Sequence, residues 1–222
     1  MKLRDSEKKH DGNIYAVTCC HVAQPEKGKN SILFKTIQND ESKEFSKNIA
    51  WYLLNSEIPV DIALIPVKKP CDAFKFNHNE CNKYTCDREE LVGKKVQKQG
   101  AVTKFTRGEI VCVNSDVRVT DANGEKCWYG NAIRVKSIED KPFSKSGDSG
   151  LLVTLSRNTS DETHQAVSIV FAGGTMTDGK PVSYSFDLFK AVDFLMEKND
   201  IDNNFDILSD STTAGFHESN DD

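Results

Sequence analysis

The sequence predicts an all-β protein that ends in a single helix. Short runs of strand-favouring residues recur along the chain, and turn dipeptides such as Asn123-Gly124, Gly173-Gly174 and Asp178-Gly179 separate them. This spacing favours antiparallel barrels over βαβ units. At 222 residues the chain is long enough for one large β domain or for two small barrels, with a core that needs no disulfide staples.

The first half predicts four strands joined by loops rich in lysine and asparagine. They are residues 14–20, 31–37, 48–54 and 62–67. Upstream of them, residues 2–12 are charged and end in Asp11-Gly12-Asn13, a hairpin-type turn signal. Residues 68–94 show no clear periodicity, so we expect the connection between two barrels there.

The second half predicts further short strands and the helix. The strands are residues 95–99, 109–113, 117–120, 127–135, 151–155, 166–171 and 182–185. Residues 186–196 place Phe189, Val192 and Met196 on one side and charged residues between them, which indicates an amphipathic helix with a buried apolar face. We therefore divide the chain into an N-terminal barrel with the connection (1–94), a C-terminal barrel with the helix (95–198) and a tail (199–222).

The charge distribution separates the tail from the body. The formal net charge is −5, but residues 199–222 carry seven acidic and no Lys or Arg side chains, so the body has 29 basic against 27 acidic residues. A nearly neutral body gives no indication of nucleic acid as a partner. The acidic tail predicts disorder or a linker, because it has no face to bury.

The number of cysteines and the length of the apolar runs indicate the cellular compartment of the protein. No apolar run approaches 18 residues, so we expect neither a membrane partner nor a signal segment. The seven cysteines are odd in number, and Cys19 and Cys20 are adjacent. Such usage favours a reducing compartment, so we expect a cytoplasmic or nuclear protein.

A second group of cysteines, together with a histidine, has a metal site as an alternative interpretation. Cys71, His78, Cys81 and Cys86 lie close together in the predicted connection. Zinc takes ligands of these types, but the set lacks a Cys-x-x-Cys pair, and reduced loop cysteines are the favoured interpretation. We therefore predict no metal and no cofactor, with zinc at this cluster as the alternative.

One segment has the composition of a nucleophile on a tight turn, Ser146-Gly147-Asp148-Ser149-Gly150. Glycine on either side lets the backbone bend sharply and lets a substrate carbonyl approach the amide N–H groups. Taken alone, the same residues also suit an ordinary turn.

Two upstream residues provide what such a serine needs. His21 ends one strand-like run, and Asp61 begins another. A serine hydroxyl attacks a carbonyl only with a base within hydrogen-bond reach, and the base needs a group that orients it. The alternatives are a packed strand-end histidine and an aspartate that caps a turn.

Together these residues resemble a known family. Thr18-Cys19-Cys20-His21-Val22, Asp61-Ile62-Ala63-Leu64-Ile65 and Gly147-Asp148-Ser149-Gly150 are similar to the three catalytic signatures of the chymotrypsin-fold (trypsin-like) serine peptidases, in the family's order. Lys98-x-Gly100-x-x-Thr103-x-x-Thr106-x-Gly108 resembles the strand that opens the second barrel in intracellular trypsin-like domains, except that Lys104 stands where glycine is usual. The resemblance covers most of residues 13–196. It implies two antiparallel six-stranded barrels with a C-terminal helix.

The resemblance also implies an activity and a set of roles. It implies a cofactor-free serine endopeptidase that cleaves protein or peptide substrates through an acyl-enzyme, with Ser149 as nucleophile, His21 as base and Asp61 as its orienting group. The backbone N–H groups of Gly147 and Ser149 would form the oxyanion hole. The substrate-binding residues would be Phe143, Phe171, Ala172, Gly173 and Ser183. Since no acid matches the pocket position of the trypsin branch, we expect an apolar or small residue at the cleaved position.

Two departures from the family pattern matter. Secreted relatives pair the aspartate equivalent to Asp148 with a new N-terminal amine, and no matching sequence precedes the first barrel here. Asp148 must therefore find another cation or backbone donors. Only Lys2-Leu3-Arg4 could supply part of the missing N-terminal strands, so we expect a truncated first barrel with an open edge and a chain that belongs to a larger multidomain protein.

The alternative function is a catalytically silent protease-like domain that binds proteins or peptides, but all three triad positions are filled.

Overall fold

The computed structural model describes residues 2–5, 14–23, 32–35, 42–45, 61–66, 78–84, 86–120, 126–156, 164–198 and 205–210. Within these ranges the strands are β1 (Lys2–Asp5), β2 (Ile14–Thr18), β3 (Ile32–Lys35), β4 (Ser42–Phe45), β5 (Ala63–Pro66), β6 (His78–Lys83), β7 (Lys95–Gly100), β8 (Lys104–Thr120), β9 (Lys126–Ser137), β10 (Leu152–Leu155), β11 (His164–Thr175), β12 (Pro181–Asp187) and β13 (Phe205–Asp210). The helices are α1 (Cys20–Ala23), a 3-10 turn (Arg88–Leu91) and α2 (Leu188–Lys198).

The second half forms an antiparallel six-stranded sheet in the order β10-β7-β8-β9-β12-β11. β11 also pairs with β10, so the six strands close on themselves. Every strand predicted for this half overlaps an observed one, but residues 109–113 and 117–120 belong to the single long strand β8. Its pairing with β9 shifts register three times between Ile110 and Val117. Such irregularities bend a long strand, which explains why the pattern indicated two.

The core lies inside this closed sheet. Side chains alternate between inside and outside along β7, where Val96 and Lys98 are buried and their neighbours are more exposed. On the opposite side Phe171 stacks on Phe186 with ring centroids 3.9 Å apart. The most completely buried large side chains of the described residues are Phe143, Ile62, Leu91, Ile110, Ile133, Ile169, Leu188 and Val96.

α2 begins at Leu188, whereas the apolar pattern predicts a helix from residue 186. Phe186 and Asp187 still belong to β12, and the Asp187 carboxylate accepts a hydrogen bond from the backbone N–H of Lys190 at 3.2 Å. This is the N-cap interaction that satisfies a free amide at a helix start, so the helix begins at Leu188. Phe189 and Val192 of the predicted apolar face are buried, whereas the side chain of Met196 lies outside what the structure describes.

Four strands of the first half and the C-terminal strand β13 form a row in the order β6-β13-β1-β2-β5, and β6 joins it to β11 by parallel pairing. β3 and β4 form a separate hairpin. Among the described strands this row shows no closing pair, so the two-barrel arrangement stays a prediction. The predicted strand at residues 48–54 lies outside the described residues. β6 was not predicted, because it lies in residues 68–94, whose sequence shows no clear periodicity.

The predicted disorder of the tail is wrong for Phe205–Asp210. These residues form β13, which pairs with β1 on one side and with β6 on the other. Backbone N–H and C=O groups thus find partners on both edges, which the acidic composition of the segment did not reveal. The expectation of an open edge at β1 is wrong for the same reason, because β13 covers it. Residues 199–204 and 211–222 lie outside the described residues.

Two local findings complete the fold. Lys104 has φ of 59°, a left-handed conformation that suits glycine better than lysine. None of the described helices is long and apolar enough to span a bilayer.

Candidate active site

His21 and Asp61 meet because the strands beside them pair. β2 and β5 run antiparallel with Thr18 opposite Ala63, so α1, which follows β2, lies next to the residues that precede β5. The Asp61 carboxylate accepts a hydrogen bond from the backbone N–H of His21 at 2.9 Å and another from the ring Nδ1. Asp61 is buried and the His21 ring is about half exposed, so one carboxylate orients both the backbone and the ring.

Ser149 lies on a turn that packs against the segment carrying His21. The next residue, Gly150, has φ of 87°, and a Cβ built on it would lie 2.1 Å from Thr18 Oγ1. The backbone N–H of Gly150 donates to the Val170 carbonyl at 2.8 Å, and the Cys19 thiol donates to the same carbonyl at 3.1 Å. The serine turn and the chain just before His21 are therefore in direct contact. Ser149 Oγ donates to the Phe171 carbonyl at 3.4 Å.

Asp148 is fully buried directly behind this serine. Its carboxylate accepts hydrogen bonds from Thr103 Oγ1 at 2.6 Å, from the backbone N–H of Val102 at 2.9 Å and from that of Lys145 at 3.2 Å. Lys98 Nζ lies 3.3 Å away. The prediction that Asp148 finds another cation or backbone donors is confirmed, and the structure provides both. Burial alone would raise the pKa of Asp148, but these hydrogen bonds and the Lys98 charge outweigh burial and keep the pKa below its ordinary value.

Lys98 is the cation that sequence analysis did not assign. Its side chain is fully buried, and burial lowers the pKa of Lys98 below its ordinary value, with the Asp148 charge offsetting part of that effect. Gly100 leaves room for the pair, because a Cβ there would lie 2.7 Å from both Asp148 Oδ1 and Lys98 Nζ. The available signal was a lysine at an inward position of β7, two residues after Val96, inside a motif already recognised by its resemblance.

Gly147 has a backbone conformation that few other residues adopt. Its φ is 93°, and a Cβ built on it would lie 2.8 Å from Val102 Cγ2. The turn is closed by a hydrogen bond from the Asp148 N–H to the Lys145 carbonyl at 2.9 Å. Glycine is therefore required at this position for local reasons, and the assignment of the Gly147 and Ser149 amides to an oxyanion hole stays a prediction.

The residues predicted to bind substrate fall into two groups. Ala172 and Gly173 continue along β11 from Phe171, and Ser183 lies opposite Gly173 on β12. These residues thus line the strand pair beside Ser149. Phe143, in contrast, is 2% exposed and its ring packs against Lys98, with Nζ 5.5 Å from the ring centroid. The structure places Phe143 in the core and not on a surface offered to substrate.

Ser144 is a further residue of this region that sequence analysis missed. Its hydroxyl and that of Ser183 form a buried hydrogen bond of 2.6 Å. A strand periodicity could not indicate it, because Ser144 lies in the irregular segment between β9 and β10. The pair leaves two neutral hydroxyls that satisfy each other next to the predicted pocket strands.

The described residues contain one group able to hold a metal ion. One donor atom each of Cys19, His21 and Asp61 lies within 4.8 Å of the other two. The zinc alternative considered for Cys71, His78, Cys81 and Cys86 stays open, since Cys71 lies outside the described residues.

Comparison with known proteins shows the fold. No family model matches the chain, and no curated protein matches it. Among solved structures, Thermobifida fusca Protease A superposes with a TM-score of 0.51 at 13% identity, covering 95% of this chain and 89% of that one. Nocardiopsis Protease (NAPase) gives 0.50 at 14% identity, with 89% and 86% covered. These structural neighbours are chymotrypsin-fold serine proteases, and at such identities the likeness concerns the fold alone.

Proposed function

We propose that this chain is a serine endopeptidase that hydrolyses peptide bonds through His21, Asp61 and Ser149. The observation that carries the proposal is the convergence of three segments distant in sequence. Asp61 binds both the backbone and the ring of His21, and the turn of Ser149 packs through Gly150 onto Thr18, three residues before the histidine. A triad is recognised by such mutual roles more than by any single motif.

The proposed chemistry follows from which ring nitrogen of His21 is hydrogen-bonded to Asp61. Because Nδ1 faces the carboxylate, Nε2 is the ring nitrogen left to take the proton of Ser149 Oγ. In the proposed reaction, Oγ bonds to the scissile carbonyl carbon, His21 then gives its proton to the leaving amine, and water hydrolyses the acyl-enzyme by the reverse sequence. Asp61 stabilises the imidazolium at each stage. The negative charge on the carbonyl oxygen would be stabilised by the amides of Gly147 and Ser149.

The surroundings of the serine support an uncharged residue at the cleaved position. Asp148 is fully buried and engaged by Lys98, so its charge is not available to a basic substrate side chain. Ser144 and Ser183 offer only hydroxyls that already bond to each other. From these described residues a basic or acidic side chain would gain no partner of opposite charge to offset its loss of water, which disfavours its binding.

A fluorophosphonate probe tests the proposal directly. We expect it to label Ser149, because a serine reacts with such a probe when a base and an oxyanion site accompany it. Labelling should disappear in Ser149→Ala and persist in Ser146→Ala, an exposed serine of the same turn that serves as the matched control. Labelling that survives in Ser149→Ala contradicts the assignment. A folded wild-type protein that neither reacts nor cleaves would support the alternative, a protease-like domain that binds peptides without cleaving them.

Replacing Asp61 with asparagine tests the orienting role separately. The asparagine keeps an oxygen that can accept the His21 backbone N–H, so the fold should survive. Its amide group cannot stabilise the tautomer and the imidazolium as a carboxylate does, and turnover should fall by about 10⁴. Circular dichroism and the unfolding midpoint check the fold, and a rate close to wild type would show that another group orients the ring.

A further inference from the structure

We propose that Cys19, His21 and Asp61 form a binding site for Zn²⁺, and that the metal switches the proposed peptidase off. Their donor atoms, a thiol sulfur, an imidazole nitrogen and a carboxylate oxygen, all lie within 4.8 Å of one another. These are the three kinds of ligand that zinc takes in proteins. The effect on cleavage rests on the proposed function, whereas the binding of metal does not.

The protein places the three groups together before any metal arrives. Cys19 and His21 lie on either side of the start of α1, two residues apart. Asp61 is held against them by its hydrogen bond from the His21 backbone N–H. In a tetrahedral zinc site with bonds of about 2.0–2.3 Å, donor atoms stand roughly 3.5 Å apart, so the group needs to close by little more than about 1 Å. Three protein ligands leave a fourth position for water, and the half-exposed His21 side chain gives solvent access to the site.

Metal binding balances with the loss of one proton. The Cys19 sulfur donates a hydrogen bond to the Val170 carbonyl, so it carries a proton in the metal-free protein. Coordination replaces that S–H bond by a sulfur–zinc bond and releases the proton to water. The ring nitrogen nearest Asp61 is Nδ1, and its coordination moves its proton to Nε2 without further net change.

This proton shift explains the inhibition. Nε2 is the nitrogen that would accept the proton of Ser149, and it cannot do so while it carries one of its own. Zinc would also take the Asp61 carboxylate away from its role towards the ring. Neither Cys19 nor the metal takes part in cleavage, so the site is regulatory.

Cobalt provides a spectroscopic test that does not depend on activity. We expect Co²⁺, titrated into the 222-residue protein, to give tetrahedral d–d bands and a thiolate-to-cobalt absorption band, both lost on addition of Zn²⁺. Cys19→Ala should lose the thiolate band and weaken Zn²⁺ binding, measured by calorimetry, by about 100-fold or more, because even an outer-shell partner typically costs 10- to 100-fold. Cys127→Ala, a free thiol on β9, is the matched control and should bind as wild type.

The possible outcomes separate the two proposals. A wild-type protein with no thiolate–cobalt band overturns the metal site, whether or not it cleaves peptides. A band that survives in Cys19→Ala or Cys19→Ser but disappears in Cys81→Ala overturns it too, and assigns the metal to the other cysteine cluster. Metal binding at Cys19 in a protein that never labels with the fluorophosphonate supports the site and contradicts the proposed peptidase. In an active protein, Zn²⁺ should inhibit wild type at lower concentrations than it inhibits Cys19→Ala.

Discussion

Replacing Lys98 with methionine removes the ammonium from the fully buried pair that lies behind Ser149. Methionine keeps much of the length of the side chain, so the contact with the Phe143 ring survives in part while the charge disappears. The Asp148 carboxylate stays, also fully buried and now without a cation. The variant therefore measures the cost of one uncompensated buried charge.

The structure sets the expected magnitude. Removing one partner of a buried ion pair typically destabilises a protein by about 3–5 kcal/mol. Asp148 keeps the hydrogen bonds from Thr103 Oγ1 and from the backbone N–H groups of Val102 and Lys145, so we expect the lower end, about 3 kcal/mol. The turn that carries Ser149 should also shift, because Asp148 is its neighbour, and labelling of the serine should slow.

Urea unfolding followed by circular dichroism measures the change. The midpoint should fall with an unchanged slope. Lys95→Met is the matched control, since Lys95 lies on the same strand and pairs with Glu109 at the surface, where removing a partner should leave the midpoint unchanged within error. A loss below about 1 kcal/mol in Lys98→Met would refute the reasoning, because the neutral donors would then suffice for the carboxylate. The double variant Lys98→Met/Asp148→Asn should be more stable than Lys98→Met, since it leaves no buried charge.

The pair of Lys98 and Asp148 also predicts how the stability difference between wild type and Lys98→Met depends on pH. The pKa of Asp148 lies below its ordinary value of 3.8, so in the range between the folded and unfolded pKa values the unfolded chain binds more protons. The stability that Asp148 contributes is therefore fully present above its unfolded pKa and is lost as the pH falls through its folded pKa. The gap between wild type and Lys98→Met should narrow in acid, because a protonated carboxyl no longer needs a cation. A constant gap would place the effect elsewhere.

Two further predictions concern contacts between distant segments. Gly150→Ala should lower both the unfolding midpoint and the rate of cleavage, because its Cβ would meet Thr18, whereas Gly93→Ala, at φ of 85° with nothing within 4 Å, should show only the cost of backbone strain. Equal effects of the two substitutions would contradict the contact. A chain ended after Asn204 should be less stable and self-associate on size exclusion, since the loss of β13 exposes strand edges, whereas a chain ended after Asp210 keeps β13. Identical behaviour of the two chains would refute the role of β13.

The sequence predicted the second half of the fold well, because its strands are amphipathic and pair mostly with neighbours along the chain. β7, β8 and β9 follow one another in both sequence and sheet. β13 was missed because its partners are distant, with Leu3 opposite Ile207 in the pairing register. The alternation of Phe205 and Ile207 was a weak strand signal, and the surrounding acidic residues concealed it. Local composition reports on burial within a segment but not on a partner two hundred residues away.

The candidate site likewise has features that local motifs predict and features that depend on distant contacts. His21, Asp61 and Ser149 could be proposed from the sequence because each lies in a short motif whose residue types suit one chemical step, and their catalytic roles stay a prediction. The need of Asp148 for a cation was also predictable, since a buried carboxylate without partners is costly. That the cation is Lys98, and that Gly100 makes room for it, depends on how β7 faces the serine turn. Such a pairing arises only when the barrel closes.

The carbonyl of Val170 connects the geometry of the site with its proposed control by metal. It accepts hydrogen bonds from Gly150, which follows the serine, and from Cys19, which precedes the histidine. One acceptor thus links the segment of the base to the turn of the nucleophile. A metal that takes the Cys19 sulfur removes one of these two hydrogen bonds at the same time as it moves a proton onto Nε2. Zinc would therefore act on His21 both through its protonation and through its position relative to Ser149.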